Sequence, residues 1–285
     1  MDFFSQKYIK SLLEERQIYP SKRFGQNFLV DKTVFEKIIG AANLSPEDTV
    51  LEIGPGIGNL TQELAKKAKR VVAVEKDGKM VEVLKETLKD FKNVEIIQGD
   101  ILKLPTTNYS LPTNYKVVAN LPYYITSPVI RNFLELPEVR PREIVLMVQR
   151  EVAERICSKP PKMNLLAVSV QFYGEPKIIS SVSKNSFWPK PKVDSAILKI
   201  IVNRKQLTVN RDLFFKVVKA GFAQPRKQLV NNFARKLALS PPNGLKLDKD
   251  KIKSWLLKNK INYIRRAETL NIQNWVNLVK SFSEF

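Results

Sequence analysis

The sequence predicts an α/β protein: a parallel sheet with helices on both faces, followed by a small C-terminal all-helical domain. Three observations carry this. Short β-branched runs alternate with helix-periodic segments up to about residue 148. After about Asn203 only helical periodicity remains. Positive charge is concentrated in that same terminal part: residues 1–198 hold 29 basic and 23 acidic groups, whereas residues 199–285 hold 19 and 5.

The elements follow in order. Val34, Phe35, Ile38, Ile39 and Ala42 recur at helical spacing and predict an amphipathic helix over 32–43. The apolar runs Thr49–Ile53, Arg70–Val74, Val94–Ile97, Lys116–Ala119 and Ile144–Val148 read as buried strands. Leu60–Ala68 and Lys79–Phe91 read as helices between them, and Ser195–Val202 as a later strand at an edge. Beyond it, Leu213 to Phe222, Leu229 to Leu237, Ile252 to Leu256 and Trp275 to Val279 each fit a helix. Ser240-Pro241-Pro242-Asn243-Gly244 reads as a loop. The domain boundary is placed between 203 and 204, giving domains over 1–203 and 204–285.

Composition narrows the function. Hydrophobic residues make up 44% of the 285-residue chain, enough for a sizeable core. A net charge of +20 points to a polyanionic partner. No apolar run approaches the ~20 residues of a membrane-spanning helix. Met1 to Ile18 contains Asp2, Glu14 and Glu15 and lacks a signal-peptide core. The single Cys157 excludes an intramolecular disulfide and fits a reducing compartment, so a cytoplasmic location is expected. Histidine is absent, which removes histidine bases and histidine metal ligands. No metal is expected, and the chemistry must run on backbone, amides, carboxylates, aromatics or a cofactor.

Glu52-Ile53-Gly54-Pro55-Gly56-Ile57-Gly58-Asn59 follows the first strand of the sheet. Such a glycine turn lets backbone approach a ligand, although alone it also occurs without one. Asn59 stands where a dinucleotide fingerprint needs its third glycine, and no Gly-Lys-Ser/Thr follows to hold a nucleoside triphosphate. S-adenosylmethionine has no pyrophosphate; it needs a close glycine turn, at Gly54 and Gly56, for its amino-acid part and an acid for its ribose. Glu75, at the end of the next strand, can accept from both ribose hydroxyls. Asp100, ending the third run, can accept from the adenine amino group. Singly each acid could be a helix cap or a surface charge; their common position at strand ends argues for a ligand.

The fourth strand ends in Asn120-Leu121-Pro122-Tyr123, which resembles the Asn/Asp-Pro-Pro-Tyr motif of amino-methyltransferases. An exocyclic adenine amine is a weak nucleophile, its lone pair delocalised into the ring. The Asn120 side-chain oxygen and the Leu121 carbonyl can accept from its hydrogens and favour a more tetrahedral nitrogen. Pro122 removes a donor and sets the turn. Tyr123 offers an aromatic face to an unstacked base. Methyl transfer from a sulfonium then needs mainly alignment, so no histidine is required.

Taken together these motifs resemble the small-subunit (16S-type) rRNA adenine-N6,N6-dimethyltransferase family. The resemblance also rests on Phe24-Gly25-Gln26-Asn27-Phe28-Leu29, on Gln149 to Arg155, on Phe187 to Ser195, on Phe222 to Asn232 and on Arg266-Ala267-Glu268. Two stretches depart from it: Pro225, where a basic residue is expected, and Lys162-Met163-Asn164, where Tyr-Gly is usual. It implies a Rossmann-like class I methyltransferase sheet over 1–203 and an RNA-recognising helical domain over 204–285. It implies cofactor contacts at Asn27, Leu29, Gly54, Glu75, Asp100 and Asn120, and places Phe187 opposite Tyr123 across the target adenine. By itself, Phe187 is an aromatic beside a proline-rich loop, and Gln149–Arg155 an ordinary charged helix start.

The expected reaction is dimethylation of N6 on two adjacent adenosines in a 3′-terminal loop of small-subunit rRNA, with S-adenosylhomocysteine released. The expected partner is a pre-30S-like particle, met by a monomer without membrane contact. Arg226, Lys227, Arg235 and Lys236 are expected to meet phosphates, with Arg150, Arg155 and Lys190 as a second footprint near the active-site mouth. Two other readings compete. A large-subunit rRNA methyltransferase of the macrolide-resistance type is disfavoured by Gly54-Pro55-Gly56, Leu121 and the sizeable C-terminal domain. A non-catalytic RNA-binding or transcription-accessory protein of the same fold is disfavoured by the intact Asn120–Tyr123 motif.

Overall fold

The computed structural model describes residues 4–21, 24–104, 110–135, 140–203, 209–237 and 248–282. The loop read at 240–244 lies outside them. The chain divides into two compact units, one over Met1–Glu154 and Gly174–Arg204, the other over Arg155–Tyr173 and Lys205–Phe285.

The first unit opens with α1 (Gln6–Glu14), capped by Ser5, and the two-residue strand β1 (Phe28–Leu29). The Asp31 carboxylate caps α2 (Lys32–Ala42) by accepting from the N–H groups of Thr33 and Val34. There follow β2 (Thr49–Ile53), α3 (Asn59–Ala65), β3 (Arg70–Glu75), α4 (Gly78–Thr87), β4 (Val94–Gln98) and β5 (Lys116–Asn120). A single 3₁₀ turn, Tyr123–Ile125, leads into α5 (Thr126–Glu135) and β6 (Glu143–Gln149). The helix α6 (Arg150–Ile156) spans the division between the units, and α7 (Leu165–Gln171) lies in the second. The chain returns to the first through β7 (Gly174–Val182), β8 (Phe187–Trp188) and β9 (Ser195–Val202).

Seven strands form one sheet in the order β4-β3-β2-β5-β6-β9-β7, and β1 pairs separately with β8. The first five are parallel to one another; β9 runs antiparallel to both β6 and β7. The sheet is therefore mixed rather than wholly parallel. Nor is Ser195–Val202 an edge: it sits between β6 and β7, and Gly174–Val182 takes the outer place. That strand escapes a search for apolar runs because its exposure alternates, at Glu175, Lys177, Ile179 and Ser181, as an edge strand's does.

This order fixes the site. Strands β2, β3 and β4 step one way from the centre and β5 and β6 the other, so the connections diverge between β2 and β5. Ligands of open α/β sheets bind at the carboxyl ends of strands at such a switch point. Here those ends are Ile53 and Asn120. Val50, Leu51, Val71, Val72, Val117 and Val118, all fully buried, make the sheet centre a rigid support. The opposite end of α2 is also held. Buried Lys116 donates to the Ala42 and Asn43 carbonyls at 2.9 and 2.7 Å and pairs with Asp48 at 3.1 Å.

In the second unit, α8 (Arg211–Gly221), α9 (Leu229–Lys236), α10 (Lys249–Lys258) and α11 (Ile272–Phe282) build a helical cluster. Phe172 stacks on Phe214 at 3.8 Å between ring centroids, and Phe233, Trp255, Trp275 and Phe282 form a second aromatic group. Gly221 is required by its neighbour: a Cβ there would lie 2.5 Å from the Trp275 ring. Among the described residues no strand follows Val202. The division between Arg204 and Lys205 lies one residue from the boundary placed between 203 and 204; the second unit also takes in 155–173, whose Phe172 and Tyr173 join the aromatic core of the helices.

Candidate active site

The β2–α3 turn is built from three residues with positive φ: Gly54 at 65°, Gly56 at 59° and Gly58 at 87°. Gly54 donates to the Val74 carbonyl at 2.9 Å, which ties the turn to β3. A Cβ on Gly56 would approach the Phe28 ring to 3.2 Å, so the turn closes tightly against β1. Asn59, which the sequence reading used only as a missing glycine, has its own task. Its buried amide donates to the Leu29 carbonyl at 3.1 Å and accepts from the Leu60 N–H at 2.9 Å. It thereby fastens the N-terminal segment to the turn.

Three acids face this turn. Glu75 is buried; its carboxylate accepts from the backbone N–H of Gly56 at 3.1 Å and of Asp77 at 2.8 Å. Burial raises its pKa, against the lowering effect of those backbone bonds. Asp100 accepts from Lys76 at 2.9 Å and from the Leu102 N–H at 3.1 Å. Burial would raise its pKa, but the Lys76 and Leu102 bonds and the charges of Lys76 and Lys103 outweigh it and hold the group below its ordinary value. The third acid is Glu52, which the sequence reading quoted only as part of a motif. It is 1% exposed, and burial pushes its pKa up to about 8, with the Glu75 charge adding to the rise. The Thr61 hydroxyl works in the lowering direction from nearby, without closing a bond of full geometry, so Glu52 Oε2 stays unpartnered. The signal available in sequence is its place as an acid within an otherwise apolar run.

Asn120 ends β5, and its side-chain nitrogen donates to the Asn27 carbonyl at 3.2 Å. A carbonyl only accepts, so this bond orients the amide and turns Oδ1 away from Asn27. Asn27 is itself held by donating to the Gly25 carbonyl at 3.0 Å, and Gln26 reaches Asp77 at 3.0 Å. The half-buried Tyr123 shares a 2.6 Å hydrogen bond with the fully buried Ser195. Burial raises its phenol above the ordinary value, the Ser195 bond opposes this, and Asp194 adds to it. Phe187 is 4% exposed and lies in β8, opposite Leu29 in the β1–β8 register.

These residues surround one cavity of about 350 Å³ in the first unit. Asn27, Leu29, Gly54, Gly56, Glu75, Asp100, Asn120, Leu121, Pro122, Tyr123 and Phe187 all line it, together with Glu52, Gln26, Ile101, Tyr124 and Pro128. Elements far apart in the chain thus converge on the switch point. Among the described residues, no three His, Cys, Asp or Glu side chains cluster as metal ligands would. No helix among them is long and apolar enough to cross a membrane.

Residues 20–278 match the model of a family described as ribosomal RNA adenine dimethylase. The chain belongs to the ribosomal RNA adenine dimethylase family. Its relatives within the family agree. It is 43% identical over 277 residues to ribosomal RNA small subunit methyltransferase A of Dehalococcoides mccartyi (strain CBDB1), covering 96% of this chain and 92% of that protein. It is 39% identical over 288 residues to the protein of the same name from Alkaliphilus oremlandii (strain OhILAs), covering 98% of each. A solved dimethyladenosine transferase from Plasmodium falciparum superposes with a TM-score of 0.80 at 27% identity, over 90% of this chain and 98% of that one. The 23S rRNA methyltransferase ErmE superposes with a TM-score of 0.72 at 25% identity, over 90% and 99%. This ribosomal RNA adenine dimethylase is a methyltransferase with the Rossmann-like class I sheet.

The basic residues assigned to RNA lie elsewhere on this dimethylase. All seven are exposed and none lines the cavity. Arg150, at the start of α6, pairs with Asp194 at 3.4 Å and Glu154 at 3.7 Å. Arg150 and Lys190 belong to the first unit and Arg155 to the second. Arg226 and Lys227 sit in the α8–α9 connection, and Arg235 and Lys236 in the last turn of α9. Asn232, missed in sequence, holds that connection: its buried amide donates to the Gly221 and Gln224 carbonyls at 2.6 and 3.0 Å.

Proposed function

We propose that the cavity binds S-adenosylmethionine and that the protein dimethylates N6 of two adjacent adenosines in the 3′-terminal loop of small-subunit rRNA, releasing S-adenosylhomocysteine. The observation that carries the reading is the meeting of the Gly54–Gly56 turn, Glu75 and an oriented Asn120 amide in one cavity. The relatives at about 40% identity, named for the small subunit, favour that substrate over the large subunit.

The residues fit the cofactor. Glu75 spends one bond per oxygen on backbone donors, which leaves lone pairs on both for ribose hydroxyls. Gly56 keeps open the space that a Cβ would fill against Phe28. Glu52 brings an unpartnered carboxyl oxygen to the wall. When bound, S-adenosylmethionine supplies an electrophilic methyl on a sulfonium.

The chain supplies the rest. Asn120 Oδ1, turned from Asn27, accepts one N6 hydrogen, and the Leu121 carbonyl accepts the other. Tyr123 and Phe187 hold the adenine plane between them and alignment favours attack by N6; the methylated nitrogen, acidic while it carries positive charge, then loses one proton to water, so no side-chain base is needed. After the first transfer one N6 hydrogen remains, so one acceptor position must then admit a methyl group. The exposed Arg226, Lys227, Arg235 and Lys236 meet RNA phosphates, with Arg150, Arg155 and Lys190 as further contacts. The protein acts as a monomer in the cytoplasm, on a small-subunit particle during ribosome biogenesis.

The test is product mapping. Unmethylated small and large ribosomal subunits are each incubated with the protein and tritiated S-adenosylmethionine, and the modified nucleotides are located by mass analysis. Four methyl groups on two adjacent adenosines near the 3′ end of the small-subunit rRNA are expected. Label confined to the large subunit points to the macrolide-resistance type of reaction, and no label at all to an RNA-binding protein.

A further inference from the structure

We propose that Ser195 is a positioning residue for methyl transfer, acting by fixing the plane of the Tyr123 ring through their shared hydrogen bond; this rests on the placement of Tyr123 at the target base. Ser195 is fully buried and its hydroxyl lies 2.6 Å from the Tyr123 phenol oxygen. Its place in the sheet explains how it gets there. Strand β9 is antiparallel, so it begins at the edge where the parallel strands end. Ser195, its first residue, stands opposite Gln149, the last residue of β6, and Val182, the last of β7. Its preceding residue is locked too: the Asp194 carbonyl accepts from the Arg150 N–H at 3.0 Å, and its carboxylate from the Lys184 N–H at 3.1 Å. The hydroxyl is thus a fixed point on the frame of the sheet.

Tyr123 needs such a point. It lies in a single 3₁₀ turn after Pro122, on the cavity wall, and is only half-buried. Two side-chain torsions set the plane of its ring, and the phenol oxygen is the atom farthest from the backbone. Small rotations therefore move that oxygen most, and a bond there restrains both torsions at once. A phenol is neutral at ordinary pH and burial raises this one further, so the bond is available as O–H to oxygen. A ring that tilts lets the adenine tilt with it, and a displacement of about 1 Å at a reacting centre costs on the order of 100-fold in rate. The tether matters to the chemical step rather than to cofactor or RNA affinity, since neither partner of the bond is needed for phosphate contacts or for the Glu75 end of the cavity.

The experiment is a double-mutant cycle on the single-turnover rate, with unmethylated small ribosomal subunits and tritiated S-adenosylmethionine. Tyr123→Phe and Ser195→Ala each remove the bond while keeping the ring. Each is expected to slow the methyl-transfer step roughly ten-fold, with cofactor Kd by calorimetry and RNA Kd within two-fold of wild type. The double variant is expected to be no slower than the slower single one, because both substitutions delete one interaction. A wild-type rate in Tyr123→Phe overturns the proposal, and so does a double variant whose loss is the product of the two single losses. Tyr123→Phe alters no core residue, so it decides the matter even if Ser195→Ala does not fold. Tyr123→Ala separates the two levels. If it transfers methyl at the wild-type rate, the placement of Tyr123 at the base is wrong and the Ser195 proposal falls with it. If it is slow while Tyr123→Phe and Ser195→Ala are not, only the Ser195 proposal fails.

Discussion

At the scale of single residues, the candidate site gathers acids whose charge the fold suppresses or redirects. Glu52 is the extreme case, buried and pushed up to about 8. Between the ordinary carboxylate range and that value the folded chain holds a proton that the unfolded chain has released. Stability from this group is therefore complete at low pH and is lost as pH rises through the folded pKa, at about 1.4 kcal/mol per unit of displacement. Glu52→Gln should flatten the decline in melting temperature between pH 5 and 8, and the variant should gain on wild type as pH rises. Parallel melting profiles for the two proteins would remove Glu52 from this role. Burial raises Glu75 as well, but its backbone bonds act in the lowering direction, toward the ionised form that a ribose needs. Glu75→Ala should weaken S-adenosylmethionine binding by roughly 1.5–3 kcal/mol, the range for hydrogen bonds to a charged group. Titration calorimetry without RNA measures this, and an unchanged Kd would place the ribose elsewhere.

At the scale of elements, the α8–α9 connection is held by one buried side chain together with its own backbone turns. Asn232 ties the Gly221 and Gln224 carbonyls together, and Arg226 and Lys227 follow immediately. Asn232→Ala leaves both carbonyls without that donor and should cost about 1–3 kcal/mol of stability. It should also lower RNA affinity without changing the charge; a variant of wild-type stability in urea denaturation would show that the connection holds itself. The sequence made elements legible where one rule governed them. Buried β-branched runs marked β2, β3, β5 and β6; the run expected to be buried at β4 lies instead at the other edge of the sheet and is half-buried to exposed. The glycine turn, Glu75, Asp100 and Asn120 were legible because strand ends at a switch point follow a general rule. Legibility failed where partners lie far off in the chain. Gly174–Val182 alternates as an edge strand, and α7 declares its allegiance only through the meeting of Phe172 with Phe214. Glu52 and Asn59 read as motif letters until Thr61, Glu75 and Leu29 are seen around them.

At the scale of the whole molecule, the net charge of +20 is unevenly held, and the helical C-terminal part carries most of the excess. If that excess meets phosphates, RNA affinity falls steeply with salt, and each lost contact lowers the log–log slope by about 0.7–0.9. Neutralising Arg226, Lys227, Arg235 and Lys236 together should flatten the slope while leaving cofactor affinity unchanged. A slope unaltered within error would move the RNA footprint to another face. Above all, we propose that the fold aligns an amine with a methyl donor through the Asn120 acceptor. An interaction strongest in the transition state appears in the chemical step, not in binding. The most direct measurement is the single-turnover rate of Asn120→Ala on unmethylated small subunits, with mono- and dimethyladenosine resolved by mass. A rate lowered by at least about 100-fold is predicted, with RNA affinity near wild type and residual product stalled at the monomethyl stage. Dimethylation by Asn120→Ala at the wild-type rate would contradict the account.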